Sequence, residues 1–322
     1  MKDYNQLLSQ LPERSGVLIC GHGSRAKIAE EEFSLLAKGL RQRFPLLKIE
    51  YGFLEYSAPN IHMALDRLRE QGVENILAVP GMLFAATHAK NDIPYEMNTI
   101  QSYYPDLTIN MGRHIGVSTF LLELAKKRIE EEEKKLPPIA RKECAVMVVG
   151  RGTTDPDANS DVHKLCSMLW DGMGVGFASV GYSGTAYPKV NEMLPMIDQL
   201  HFKRVYVVPF FFFTGVLLER IYGWVDDFDA TSDVEYIKTQ AFGTDELMLK
   251  AFDERLYEAK NGLGNMNCQL CKYRKQIIGF EEQKGQEQVG HHLNVKGILF
   301  EEDEKVDDKK GIGAKIKNIL GI

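Results

Sequence analysis

The chain has 322 residues, 44% of them hydrophobic, with a net charge of −6 and a pI near 5.8. That length suits two ordinary domains and a short appendage, with enough apolar residues to fill real cores. The acidic balance argues against a broad nucleic-acid surface, and no run approaches the roughly 18 apolar residues of a membrane span. The opening "MKDYNQLLSQLPERS" lacks the apolar core and cleavage site of a secretory signal, so a cytoplasmic location is expected.

In chain order, "GVLIC" reads as a buried strand that runs into "GHGSR" at 21–25, followed by a helix over 26–43. "LKIEYGFL" is a second strand. "PNIHMALDRLREQG" is a helix with Pro59 at its start and Gly72 at its stop, and Ile61, Ala64, Leu65 and Leu68 share one face. "NILAVP" and "LTINMG" supply a third and fourth strand, and a helix runs into "IEEEEKK". The charged, Pro-containing "KKLPPIARKE" reads as a linker. The alternation then restarts: "CAVMVVG", a helix near 156–171, "VGFASVGY", a helix from Pro188, "RVYVVPFFFF", and onward to about residue 262. Strand–helix alternation implies parallel sheets with helices on their faces. The expected fold is therefore α/β, with two duplicated domains at 1–134 and 142–262 and an irregular tail at 263–322. In that tail, "EEDEKVDDKKG" reads as a solvated charge run.

The second half repeats the first at a constant offset of 129 residues: "GHGSR" lies over "GRGTT" at 150–154, Pro59 over Pro188, and Pro80 over Pro209. The copies differ in chemistry. Arg151 stands opposite His22 and Leu217 opposite His88, which places any metal or acid–base work in the first copy.

Open parallel sheets bind ligands beyond the carboxyl ends of their strands. His22 follows the first strand, Glu55 the second and His88 the third, so the three converge on one rim. Two imidazoles and a carboxylate suit a borderline divalent ion and exchange protons near neutral pH. His62, His163 and His201 read as ordinary helix or loop residues, whereas His114, beside Arg113, falls on the same rim. "GHGSR" lacks the spacing of a phosphate loop, and Ser24 lacks a nucleophile elbow. Cys20, Cys144 and Cys166 sit among apolar neighbours, while Cys268 and Cys271 form a C-x-x-C pair that points to metal or redox chemistry. Two cysteines are fewer than the four of a cysteine-held [4Fe–4S] cluster. Zinc with Cys268, Cys271 and His291 or His292, or an unmetallated thiol pair, are the other readings.

"LICGHGSR", "FLEYSAPNI" and "VPGMLFAATHAKNDIP" resemble the class II tetrapyrrole chelatases, in particular the long CbiX-type sirohydrochlorin cobaltochelatases, over about residues 16–262. The resemblance implies two α/β domains around a cleft and ATP-independent insertion of a divalent ion into sirohydrochlorin. Co²⁺ for cobalamin synthesis is the first expectation, with Fe²⁺ for sirohaem or Ni²⁺ as alternatives. It makes His22 and His88 the metal-handling histidines and Glu55 the associated acid. Because the substrate is a polycarboxylate, Ser24, Arg25, Lys90, Arg113 and Arg151 become candidates for holding it. "PFFFF" at 209–213 either faces the macrocycle or, as favoured here, ends a buried strand. "MNCQLCKYR" resembles the segment that some long members use for an iron–sulfur cluster, which implies a [4Fe–4S] cluster at Cys268 and Cys271, completed by a second chain in a homodimer. The tail is expected to be separable from the chemistry. The rival from another class is a non-catalytic metal or tetrapyrrole carrier.

Overall fold

The computed structural model describes residues 11–24, 26–266, 270–276, 278–279 and 281–283. Arg25, Cys268, His291, His292 and the acidic run of the tail lie outside the described residues.

Strands β1 (Ser15–Gly21), β2 (Lys48–Phe53), β3 (Asn75–Pro80) and β4 (Thr108–Met111) form one parallel sheet in the order β2-β1-β3-β4. β5 (Cys144–Gly150), β6 (Phe177–Tyr182), β7 (Arg204–Pro209) and β8 (Glu235–Lys238) form a second in the order β6-β5-β7-β8. Every residue of β1 and β5 is buried, which is why both read as unbroken apolar runs: each is covered on both faces. β1 also marks the point where strand order reverses. Gly21 lies level with Phe53, and Cys20 with Pro80, so the first three strands of the first sheet end on one rim.

The helices are α1 (Lys27–Arg43), α2 (Ile61–Glu70), α3 (Ile93–Tyr103), α4 (Thr119–Glu133), α5 (Pro156–Met173), α6 (Val190–Asp198), α7 (Val216–Asp229) and α8 (Glu246–Lys260). α2 and α6 begin two residues beyond the prolines expected to start them; Asn60 caps α2, its Oδ1 accepting from Met63 N at 2.8 Å. α3 was not expected. It is led in by a π-helical turn, His88–Asp92, where the second copy runs straight into the regular helix α7.

The duplication extends to single backbone angles. Gly23 and Gly152 share a left-handed conformation, with φ of 93° and 80°. A Cβ there would stand 1.7 Å from Glu55 O and 2.0 Å from Gly184 O. Only glycine lets the chain leaving β1 or β5 pass so close to the neighbouring loop.

The terminal helices are exchanged. α4, which ends the first half, packs on α5 and β7 of the second, while α8 packs on β3, β4 and α1 of the first. Each sheet is thus completed by the other half's last helix, and one apolar cluster runs from Val17 and Ile19 through Leu124 to Val146 and Phe252. Charges reinforce the exchange: Arg43 reaches Asp253 at 2.5 Å, and Arg255 Nη1 donates to Ile115 O at 3.0 Å. The two halves expected as sequential domains are therefore interlocked. Among the described residues, no helix is long and apolar enough to cross a membrane.

Candidate metal centre

The carboxyl ends of β1 and β2 are tied together just where the chemistry begins. Leu54 N donates to Gly21 O at 2.9 Å, and Glu55 N to His22 O at 3.1 Å. Tyr56, in the left-handed region at φ 63°, then turns the chain away. His88 arrives from the loop after β3 as the first residue of the π-helical turn. One ligand atom from each of His22, Glu55 and His88 lies within 4.8 Å of the others, the only such three-ligand group among the described residues. The imidazole rings meet edge to face, with centroids 4.4 Å apart and planes at 87°. His22 Nε2 is 3.6 Å from Glu55 Oε1.

Each imidazole is held by its other nitrogen. His22 Nδ1 donates to Gly23 O at 3.0 Å, and His88 Nδ1 to Asp92 Oδ2 at 2.5 Å. Both Nε2 lone pairs are thereby left for a metal, with Asp92 as the carboxylate that orients the ligand. Asp92 is itself fully buried, and its second oxygen accepts from Asn91 Nδ2 at 2.6 Å. Sequence reasoning missed Asp92, although its position four residues after His88 was a readable signal.

Burial, then the neighbouring His88 and Arg151, lower the His22 pKa to about 4. At neutral pH the ring is uncharged, so its contact with Glu55 is not an ion pair. The folded protein resists protonating this group while the unfolded chain, near 6.5, does not. Its stabilising contribution is therefore complete above pH 6.5 and is lost as pH falls from 6.5 through 4. The ring protons of His22 should titrate with a midpoint near 4 by NMR. Acid destabilisation across pH 6.5 to 4 should be smaller in His22→Gln; a His22 midpoint near 6.5 would contradict this account.

The second copy shows what the fold does without this duty. Arg151, Gly184, Leu217 and Ile221 occupy the places of His22, Glu55, His88 and Asp92. The fold therefore does not require the ligands or the buried carboxylate.

His22 and His88 open on a cleft of about 1010 Å³ lined by both halves. Ser24 and Arg151 line it. Phe210, just beyond β7, is buried while Phe211, Phe212 and Phe213 are partly buried, and all four line the cleft. Arg220, which sequence reasoning missed, is a further cation on the second half's wall.

Two expected carboxylate holders stand elsewhere. Lys90 is 3% exposed, its Nζ donating to Asp155 at 2.8 Å and Asp157 at 3.0 Å across the seam between the halves. Arg113 makes a two-pronged bond to Glu258, both contacts at 2.9 Å. Both charges are already matched within the protein, so neither is left to hold a substrate. His114 is buried near Asp161 at 4.0 Å, and His62 Nε2 lies 2.9 Å from Glu96. In the tail, Cys271 is a buried free thiol; its partner Cys268 lies outside the described residues.

A three-ligand group of which His22 and His88 line a cleft leaves coordination positions for water and an incoming donor, unlike a closed four-ligand cage. Fold and site together define a duplicated α/β protein with a candidate metal centre on one of its two copies. The CbiX family model matches residues 16–132 and 145–259, and the chain belongs to that family. A sirohydrochlorin cobaltochelatase of Priestia megaterium is 32% identical over 278 residues, 86% of this chain and 87% of that one. A sirohydrochlorin ferrochelatase of Priestia megaterium is 28% identical over 218 residues, 68% of this chain and 80% of that one. Among solved structures, SirB from Bacillus subtilis with Fe³⁺ aligns with a TM-score of 0.69 at 26% identity, covering 79% of this chain and 99% of that chain.

Proposed function

We propose that this protein is a sirohydrochlorin chelatase that inserts Co²⁺, without ATP, in cobalamin biosynthesis. The observation that carries the reading is the open His22–Glu55–His88 group on a cleft whose opposite wall is apolar and cationic. The metal ion is a substrate here, held by two imidazoles and a carboxylate that must also release it. Borderline ions suit such a mixed donor set. The macrocycle lies between the ligands and the wall of Phe211, Phe212, Phe213 and Leu217, with Arg151 and Arg220 taking its carboxylates. Insertion expels two pyrrole protons. His22, whose proton affinity is depressed, is suited to ligate. His88, whose Nδ1 is held by Asp92, presents Nε2 to take a proton once the ion has left it.

Cobalt is preferred because the cobaltochelatase relative is more similar than the ferrochelatase relative, at 32% against 28% identity, and is matched over more of this chain, 86% against 68%. Fe²⁺ is the second reading, favoured by the ferrochelatase relative. The test is to mix protein, excess sirohydrochlorin and Co²⁺ and follow the macrocycle absorbance. A chelatase gives many equivalents of product, whereas a carrier stops at one. Repeating the assay with Fe²⁺ and Ni²⁺ ranks the metals.

A further inference from the structure

Beyond α8 the chain returns to the seam between the halves. Residues 271–275 make one helical turn, in which Arg274 N and Lys275 N both donate to Cys271 O at 2.9 Å. The turn is packed down rather than lying loose on the surface: Cys271 and Lys272 are each 4% exposed. Lys272 lies within the electrostatic reach of Asp155 and Lys90, the ion cluster that crosses the seam. Tyr273 lies within reach of Asp155 and Asp92. Its hydroxyl donates to Thr87 Oγ1 at 3.1 Å.

Thr87 immediately precedes His88 and opens the π-helical turn, yet its hydroxyl does not cap that turn. Other contacts hold the turn at its backbone, its middle and its far end, beginning with Lys90 N, which donates to Ala86 O at 2.9 Å. Asp92 holds the His88 ring, and Lys90 anchors the middle to Asp155 and Asp157. π-helical turns are rare and occur mostly as single turns at functional sites, and a ligand on the first residue of one gains from a restraint at that end. The second copy provides a natural control. Val216 occupies the place of Thr87 and is 67% exposed, so the restraint serves only the ligand-bearing half.

We propose that Tyr273 is a positioning residue for metal capture: the segment 270–276 straps down the turn that presents His88, through the Tyr273–Thr87 hydrogen bond. The C-terminal segment is then part of the support of the metal site rather than a separable appendage. This rests on the reading of His22, Glu55 and His88 as the metal ligands.

The experiment uses the full chain and Co²⁺ alone, titrated without tetrapyrrole and followed by its visible absorption, alongside steady-state insertion. Tyr273→Phe removes one hydroxyl from one side of the bond, and Thr87→Val removes the other with little change in shape. Each should raise the Co²⁺ concentration for half-saturation by about two- to tenfold, the effect of losing one neutral hydrogen bond. The double variant should show no further loss, because both singles remove the same contact. Thr87→Ser, which keeps the hydroxyl, should restore metal binding, and kcat at saturating Co²⁺ should stay within twofold in every variant. Shifts below twofold, additive singles, or a fall in kcat without a change in half-saturation would overturn the strap while leaving the metal site standing. A wild-type chain that binds no Co²⁺ would overturn both. Thermal unfolding of each variant separates lost positioning from lost folding.

Discussion

His22→Ala and His88→Ala are each expected to lower the initial rate of cobalt insertion by about 100- to 10,000-fold, the range for a lost acid–base group. Each imidazole contributes one of only three ligand atoms that approach within 4.8 Å of one another, so its removal leaves a two-ligand site. No neighbour replaces it, because the corresponding face of the second copy carries Arg151 and Leu217. Glu55→Gln keeps the shape of the third ligand but not its charge, and should weaken metal capture more than macrocycle binding. Asp92→Asn should fall between these and wild type, at about 10- to 100-fold, as for other partners that orient a metal-bound histidine. Initial rates measured on folded variants decide the matter. If both histidine variants turn over within about threefold of wild type, the chemistry lies elsewhere.

The largest expected effect on stability comes from a residue that touches no ligand. Lys90→Met removes the cation that balances Asp155 and Asp157, of which Asp155 is fully buried. Breaking a buried pair by deleting one partner costs about 3–5 kcal/mol, because the stranded charge has no access to water. Urea unfolding at pH 7 should show a loss of this size. Exposed pairs make a useful comparison: removing Arg69, whose contact with Asp66 is 3.4 Å long and open to solvent, should cost about 1 kcal/mol or less. A Lys90→Met loss below 1 kcal/mol would mean that the seam is wetter than its burial implies.

Much of the fold was legible because parallel strands covered on both faces leave continuous apolar runs, as in "GVLIC" and "CAVMVVG". The constant offset between the copies also exposed the duplication, and the rim of strand ends brought His22, Glu55 and His88 to one place. What stayed hidden has a common cause: local patterns do not name distant partners. Lys90 looked like a free rim cation, but its partners lie 65 and 67 residues away in sequence. Arg113 likewise pairs with a carboxylate 145 residues away. The run into "IEEEEKK" reads as the helix that α4 forms, but a helical reading is silent on which sheet receives its buried face, and α8 falls in the stretch before residue 262 for which the sequence reading names no element. The π-helical turn escaped because "HAKND" carries no helical stripe: its residues turn inward to serve the site and the seam instead.

The exchanged helices have a consequence for how such a protein comes to have one site rather than two. A half on its own would present a sheet with one apolar face partly bare, where the other half's last helix joins its own first helix in covering it. Two separate copies of such a half would complete each other by trading helices, and symmetry would then give both the same ligands. Joining them on one chain keeps the partner at a high effective concentration, whatever the amount of protein in solution. It also releases each copy from having to match the other. Arg151, Gly184 and Leu217, at the positions that match His22, Glu55 and His88, show two halves of one chain carrying different residues at equivalent places.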